Sequence, residues 1–219
     1  MQDSSLQIDR LDLWPTTFFS CTNPGHHLIK EDLVSYFNEV SSDFEYDIES
    51  GVAVGIKDNL LESKFDIFKH DNEAVQELKN FCVTATSQAL NEINGQLWRF
   101  LSDEQKSINI DESWFHITKK GGYHDVHTHS NCSWSGIYYV QQGDQDPLSD
   151  RFGGNNRFRS STRMGYFDYG NRYASDSYEV SPEDGKMILF PPHVPHSATP
   201  YWGNKDRVVV AFNIRVGTK

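Results

Sequence analysis

The chain has 219 residues, enough for one good-sized domain, and its 20 Lys and Arg against 31 Asp and Glu leave a net charge of −11. An acidic balance argues against non-specific binding to nucleic acid or to an anionic membrane. Cys21, Cys82 and Cys132 are odd in number and have no CxxC spacing, which fits free thiols in a reducing compartment better than a disulfide framework. The first residues lack the basic and apolar regions of a signal peptide, and no apolar run approaches the ~18 residues of a membrane helix. The predicted protein is soluble and cytoplasmic, and 14 Phe, 10 Tyr and 5 Trp supply its core with large apolar area.

Residues 11–22 are aromatic and β-branched, a predicted edge strand interrupted by Pro15. After the turn at Asn23-Pro24-Gly25, the residues Ile29, Leu33, Tyr36, Phe37 and Val40 recur at helical spacing, so 26–41 is a predicted amphipathic helix. Residues 42–70 are read as loop with a short strand. Asp71 can cap a second helix whose apolar stripe is Val75, Leu78, Cys82, Ala85, Ala89 and Ile93, with Gly95 at its end or at a kink. From about residue 108 the period changes from 3.6 to 2. Strands are predicted over 113–118, 123–129, 134–141, 164–169, 178–180, 186–190 and 207–215, with Lys119 to Gly122 as a hairpin connection. The fold class is mainly β (α+β): a sandwich or jelly roll with N-terminal helices on one outer face. The chain reads as a single domain over 1–219, with a helical part to about 107 supporting a β core over about 108–216.

On a regular strand Asp125, His127 and His129 share one face, which gathers metal-ligand chemistry there. A third imidazole, His196, follows the strand 186–190 and a Pro-rich turn. Arg207 opens the last strand and shares a face with Val209, Ala211 and Asn213, and an Arg at the end of an inward face can grip a carboxylate bidentately. His124 points to the opposite face from His127 on a regular strand, His193 belongs to a rim, His26 and His27 to a helix surface, and His116 either to the pocket or to strand packing. The long polar stretch 141–163 carries Arg151, Arg157, Arg159 and Arg163, readable as a solvated loop or as a lid meeting an anionic substrate.

Taken together, His127-x-His129, Ser135-Gly136-Ile137-Tyr138-Tyr139-Val140, Gly185-x-x-Ile188-Leu189-Phe190-Pro191 with His196 beyond it, Asp206-Arg207 and Ala211-Phe212-Asn213 resemble the Fe(II)- and 2-oxoglutarate-dependent oxygenases. The likeness is greatest to a bacterial and phage branch similar in layout to the prolyl hydroxylases, and it spans about residues 112–215. It implies a double-stranded β-helix with iron at its open end, His127 and His196 as ligands, and Fe(II) and 2-oxoglutarate as cofactors. It also implies Arg207, with the Tyr139 hydroxyl, on the far carboxylate of 2-oxoglutarate; Asn213, by its place on the Arg207 face, is a candidate to contact the ligand or to satisfy a backbone group.

One position departs from that pattern. The common set is two His and one carboxylate, and residue 129 is His. Either His129 completes the triad or Asp125 does, and Asp125 is otherwise an acceptor for an imidazole N–H. Three neutral imidazoles leave a divalent ion its full charge, which favours an anionic co-substrate and also suits Zn²⁺. The expected reaction is oxygen-dependent hydroxylation of a protein side chain or small molecule, with succinate and CO₂ released. The alternatives are a three-His cupin-type dioxygenase that does not use 2-oxoglutarate, and a non-catalytic jelly-roll binding protein.

Overall fold

The computed structural model describes residues 15–42, 55–57, 59–145, 153–161 and 176–218. In chain order the strands are β1 (Phe19–Thr22), β2 (Gly55–Lys57), β3 (Leu60–Glu62), β4 (Lys106–Thr118), β5 (His124–His127), β6 (Trp134–Gln141), β7 (Asn156–Arg159), β8 (Ser177–Val180), β9 (Lys186–Phe190), β10 (His196–Ala198) and β11 (Arg207–Thr218). Helix α1 (His26–Ser42) follows β1, and α2 (Glu73–Trp98) lies between β3 and β4. The predicted strand 164–169, residues 11–14 of the predicted strand 11–22 and residues 43–54 and 58 of the predicted loop lie outside the described residues.

The strands form a seven-stranded sheet, β1-β9-β6-β11-β4-β3-β2, and a four-stranded sheet, β5-β10-β7-β8. From β4 onward the chain passes from one sheet to the other and back, and every pairing between these strands is antiparallel. That is the double-stranded β-helix, or jelly roll, expected from the sequence. Side-chain alternation explains why both faces of the large sheet are apolar. Tyr138, Val140, Met187, Leu189, Val210 and Phe212 face outward into one cluster with Leu33 and Phe37 of α1 and Val75, Leu78 and Cys82 of α2. Their neighbours Ile137, Tyr139, Ile188, Phe190 and Val209 face inward and meet Phe158 and Val180 of the small sheet. No helix among the described residues is long and apolar enough to cross a membrane.

Several elements differ from expectation for local reasons. Helix α2 is capped by Asn72 rather than Asp71, because the Asn72 Oδ1 accepts the Val75 N–H at 3.2 Å. The helix runs through Gly95 to Trp98, since its packed face outweighs the small propensity cost of one glycine. His26 is buried rather than exposed, with its Nδ1 2.8 Å from the Tyr138 hydroxyl. Residues 156–159 of the expected polar loop form β7, held between β10 and β8.

The Phe37 ring stacks on Phe115 at 4.4 Å between centroids, and both are fully buried where α1 meets the large sheet. Phe37→Ala is expected to cost about 3–5 kcal/mol, read as a lower urea midpoint with an unchanged slope.

Candidate metal and co-substrate site

His127 ends β5, and its Cα is paired across the small sheet with that of His196 on β10. His129 lies two residues past the strand, where its backbone N–H donates to the Pro192 carbonyl at 2.9 Å. The ring centroids of His127 and His196 are 4.2 Å apart, those of His129 and His196 5.0 Å, and those of His127 and His129 5.1 Å. One ring nitrogen from each lies within 4.8 Å of the others.

Backbone carbonyls set the tautomers. His127 Nδ1 is 2.8 Å from the Asp125 carbonyl oxygen and His196 Nδ1 is 3.0 Å from that of Val194. A carbonyl only accepts, so each Nδ1 carries the hydrogen, and each neutral ring presents an Nε2 lone pair. His196 Nε2 faces His129 Nε2 at 3.3 Å. Two nitrogens bound at ~2.1 Å to one ion have about that separation. Burial, reinforced by mutual repulsion among the rings, holds His127 and His129 down to about 4 and His196 to about 3. All three are therefore uncharged at neutral pH, the state a metal ligand requires.

Asp125 is exposed and contributes its backbone carbonyl to His127, so its carboxylate is not part of this group.

Arg207 opens β11 and is 2% exposed. Its Nη2 donates to the Asn156 Oδ1 at 2.8 Å, its guanidinium carbon lies 5.5 Å from the Tyr139 ring centroid, and its Nε has no partner among the described residues. The Tyr139 hydroxyl donates to the same Asn156 oxygen at 2.7 Å. Among the described residues no carboxylate forms an ion pair with Arg207. Burial lowers its pKa, against the opposing pull of Tyr139 and Tyr201. A buried cation with only neutral partners and a spare N–H calls for an anion. Tyr138, one residue from Tyr139, points to the helices as alternation requires, and its hydroxyl accepts from Asn23 at 3.1 Å.

The three histidines, Asn156 and Arg207 border one narrow cavity of about 30 Å³. Filling it with a dicarboxylate requires the lining side chains to spread. A wider cleft of about 490 Å³, bordered by Phe65, Asp111, Glu112, Trp114 and Arg215, reaches the other side of His127 and His129. Asn213 opens onto this cleft and not onto the Arg207 cavity, which corrects its expected place. It donates to the Glu112 Oε2 at 2.8 Å and accepts from the Ser135 hydroxyl at 2.9 Å. Asn213 shares a strand face with Arg207, but six residues along a strand is about 20 Å.

Of the four arginines, Arg157 and Arg159 lie in β7, and Arg157 is held by Glu179 of β8 at 2.6 Å, so neither is on a free lid. Arg151 and Arg163 lie outside the described residues. Alternation along β7 buries Asn156 and Phe158 and turns the arginines outward. Asn156 was not foreseen, and the only signal for it was the polar-Arg-apolar-Arg alternation of 156–159.

His124 was also misplaced by the regular-strand reading. Its partner on β10 is Ala198 while that of His127 is His196, so three residues of β5 span two of β10. That bulge turns His124 to the side of His127, with ring centroids 4.3 Å apart. There it meets His116 and the buried Glu62. Burial alone would raise the Glu62 pKa, but hydrogen bonds from His116 and His124 outweigh it and bring it to about 2.

Residues 112–213 match the family model described as "Putative 2OG-Fe(II) oxygenase". Among solved structures, the chain is similar to a Pseudomonas putida prolyl-4-hydroxylase, with a TM-score of 0.57 at 14% identity over 91% of this chain and 93% of that one. It is similar to a Trichoplax adhaerens prolyl hydroxylase in complex with a hypoxia inducible factor peptide fragment, with a TM-score of 0.55 at 13% identity over 90% and 83%. It is also similar to the viral collagen prolyl hydroxylase of Paramecium Bursaria Chlorella virus-1, with a TM-score of 0.50 at 13% identity over 97% and 98%. No curated protein matches the sequence. The family match covers residues 112–213, just under half of the chain, and the fold around them is similar to that of the solved prolyl hydroxylases. The family's cofactors are Fe(II) and 2-oxoglutarate. The residues present fit both: three neutral imidazoles with donor atoms gathered for a cation, and a buried guanidinium with a spare N–H for a carboxylate.

The depressed histidines make the metal-free protein acid-sensitive. As pH falls from about 6.5, the unfolded chain takes up protons that the folded chain refuses until about pH 4, so folding stability is full above pH 6.5 and declines through that window. Denaturation midpoints of metal-free protein should fall between pH 7 and pH 4. Replacing His127, His129 and His196 together with Gln should flatten that decline.

Proposed function

We propose that the chain is a 2-oxoglutarate-dependent Fe(II) dioxygenase that hydroxylates a protein side chain or a small molecule in the cytoplasm, with its N-terminal helices and β core acting as one domain. The observation that carries this is the buried Arg207, with its unpartnered Nε, in the same cavity as three convergent imidazoles. In this reading His127, His129 and His196 hold the iron through Nε2. The Asp125 and Val194 carbonyls fix two of those rings by accepting their Nδ1–H groups. Arg207 and the Tyr139 hydroxyl bind the far carboxylate of 2-oxoglutarate, and Asn156 yields the hydrogen bonds it otherwise accepts from both. Bound together, Fe(II) and 2-oxoglutarate supply the oxidising chemistry, in which O₂ is consumed, succinate and CO₂ leave and the substrate gains a hydroxyl group.

The protein's remaining work is orientation and exclusion of water. The Phe190 ring lies 4.7 Å and the Phe158 ring 5.8 Å from the His196 ring, centroid to centroid, and both shield that ligand from bulk water. Trp114, 5.7 Å from His129, walls the opposite side. Substrate would reach the metal through the wide cleft, whose size suits a peptide side chain or a small molecule. The Trichoplax adhaerens neighbour, which holds a peptide fragment, supports the first of these. A three-His dioxygenase that ignores 2-oxoglutarate would leave the Arg207 charge without a purpose.

Arg207→Gln removes one partner of a buried charge pair, worth about 2–5 kcal/mol, so 2-oxoglutarate affinity should fall at least roughly 30-fold. Fe(II) affinity should change little. Anaerobic titrations followed by the visible charge-transfer absorption of the Fe(II)–2-oxoglutarate complex check this, and parallel loss of both affinities would contradict it.

A further inference from the structure

Beside the three histidines lies a second group of metal-capable side chains from three different strands. Glu62 of β3, His116 of β4 and His124 of β5 place one donor atom each within 4.8 Å of the others. The pairing of the strands sets Glu62 directly across from His116, and the bulge in β5 brings His124 over both. A single carboxylate oxygen is the meeting point: Glu62 Oε2 is 2.6 Å from His116 Nε2 and 3.7 Å from His124 Nε2. Glu62 is 9% exposed, which is costly for a carboxylate unless a cation or proton donors compensate it.

The ring of His124 is oriented for ligation. Its Nδ1 lies 3.1 Å from the Asp125 carbonyl oxygen and donates to it, which leaves Nε2 turned toward the Glu62 carboxylate. Burial alone would lower the His124 pKa, but Glu62 and the Asp125 carbonyl outweigh it and raise it, so without metal a proton lies on the Nε2 that faces Glu62. In the metal-free molecule His116 meets Glu62 through one shared proton, and a divalent ion would take that proton's place.

We propose that Glu62, His116 and His124 form a second site for a divalent transition metal, distinct from that of His127, His129 and His196 and not dependent on it. Its donor set is two imidazoles and one carboxylate, a combination suited to Fe(II) and, with water as a fourth ligand, to Zn²⁺. One anionic ligand leaves a bound divalent ion a charge of +1, against +2 for three neutral imidazoles, so this site is the better compensated of the two. It is also reachable. Glu62 and His124 border the wide cleft and His116 borders the inner cavity, so open coordination positions would face the space through which substrate approaches.

The test is metal stoichiometry of the full chain, stripped of metal and titrated with Co²⁺ without oxygen at neutral pH. Binding is followed by visible d–d absorption and counted by metal analysis after dialysis. Wild type should bind two equivalents and Glu62→Gln one. The double variant H127A/H196A should also bind one, which a further Glu62→Gln should abolish. The same variants carried through circular dichroism establish that each is folded. A single equivalent in wild type that survives Glu62→Gln and is lost in H127A/H196A would overturn the second site, leaving Glu62 as a partner of two histidines only. A single equivalent lost in Glu62→Gln but retained in H127A/H196A would uphold this site and reject the three-histidine centre instead.

Discussion

The guanidinium of Arg207 is shut away from water with an amide oxygen and a tyrosine ring as its company, and the interior of the small sheet is arranged around that charge. Burying a lone cation costs several kcal/mol even after the protein relaxes. The face of Tyr139 and the oxygen of Asn156 return part of that. Gly154 is in the left-handed region at φ 65°, and a Cβ there would crowd the Tyr201 ring and the Arg207 stem, so the loop before β7 closes over the arginine only with glycine at that place. A carboxylate is the partner that would make the arrangement favourable, which is why the same residues that look expensive in the free protein look prepared for 2-oxoglutarate.

The second constraint is the way the two sheets are wound. Because the chain passes repeatedly between them, β5 and β10 become neighbours although about seventy residues separate them, and His127 faces His196 as a cross-strand pair. Arg207 enters from the large sheet across the interior, its strand held between β4 and β6. The helices take no direct part in the site. They cover the outer face of the large sheet with the buried residues of α1 and α2, while Tyr139 and Val209 lie on its other face.

Much of this was legible in the sequence wherever period and burial agree. The bounds of β6 and β9 were read correctly because both strands are buried on two faces and bordered by turn residues. Alternation along β6 puts Tyr139 and Tyr138 on opposite faces of the large sheet, in the two separate apolar clusters. Features that depend on register were not legible. A one-residue bulge in β5 reversed the side on which His124 lies, and Asn213 was placed beside Arg207 because sharing a face says nothing of distance along it. Glu62 and Asn156 sit in stretches whose composition reads as loop, and their roles come from partners 54 and 51 residues away in sequence. His26 looked like a surface residue at a helix start, and only its tertiary contact with Tyr138 reveals its burial.

In the proposed function one cavity holds both a metal on His127, His129 and His196 and a dicarboxylate on Arg207. Its most direct test is a crystal structure of the full chain grown without oxygen in Mn²⁺ and 2-oxoglutarate, with the metal located by anomalous scattering. The expected result is an anomalous peak between the three imidazole Nε2 atoms and a 2-oxoglutarate molecule whose far carboxylate is paired with the Arg207 guanidinium. An empty three-histidine centre, or a 2-oxoglutarate molecule bound away from Arg207, would contradict it.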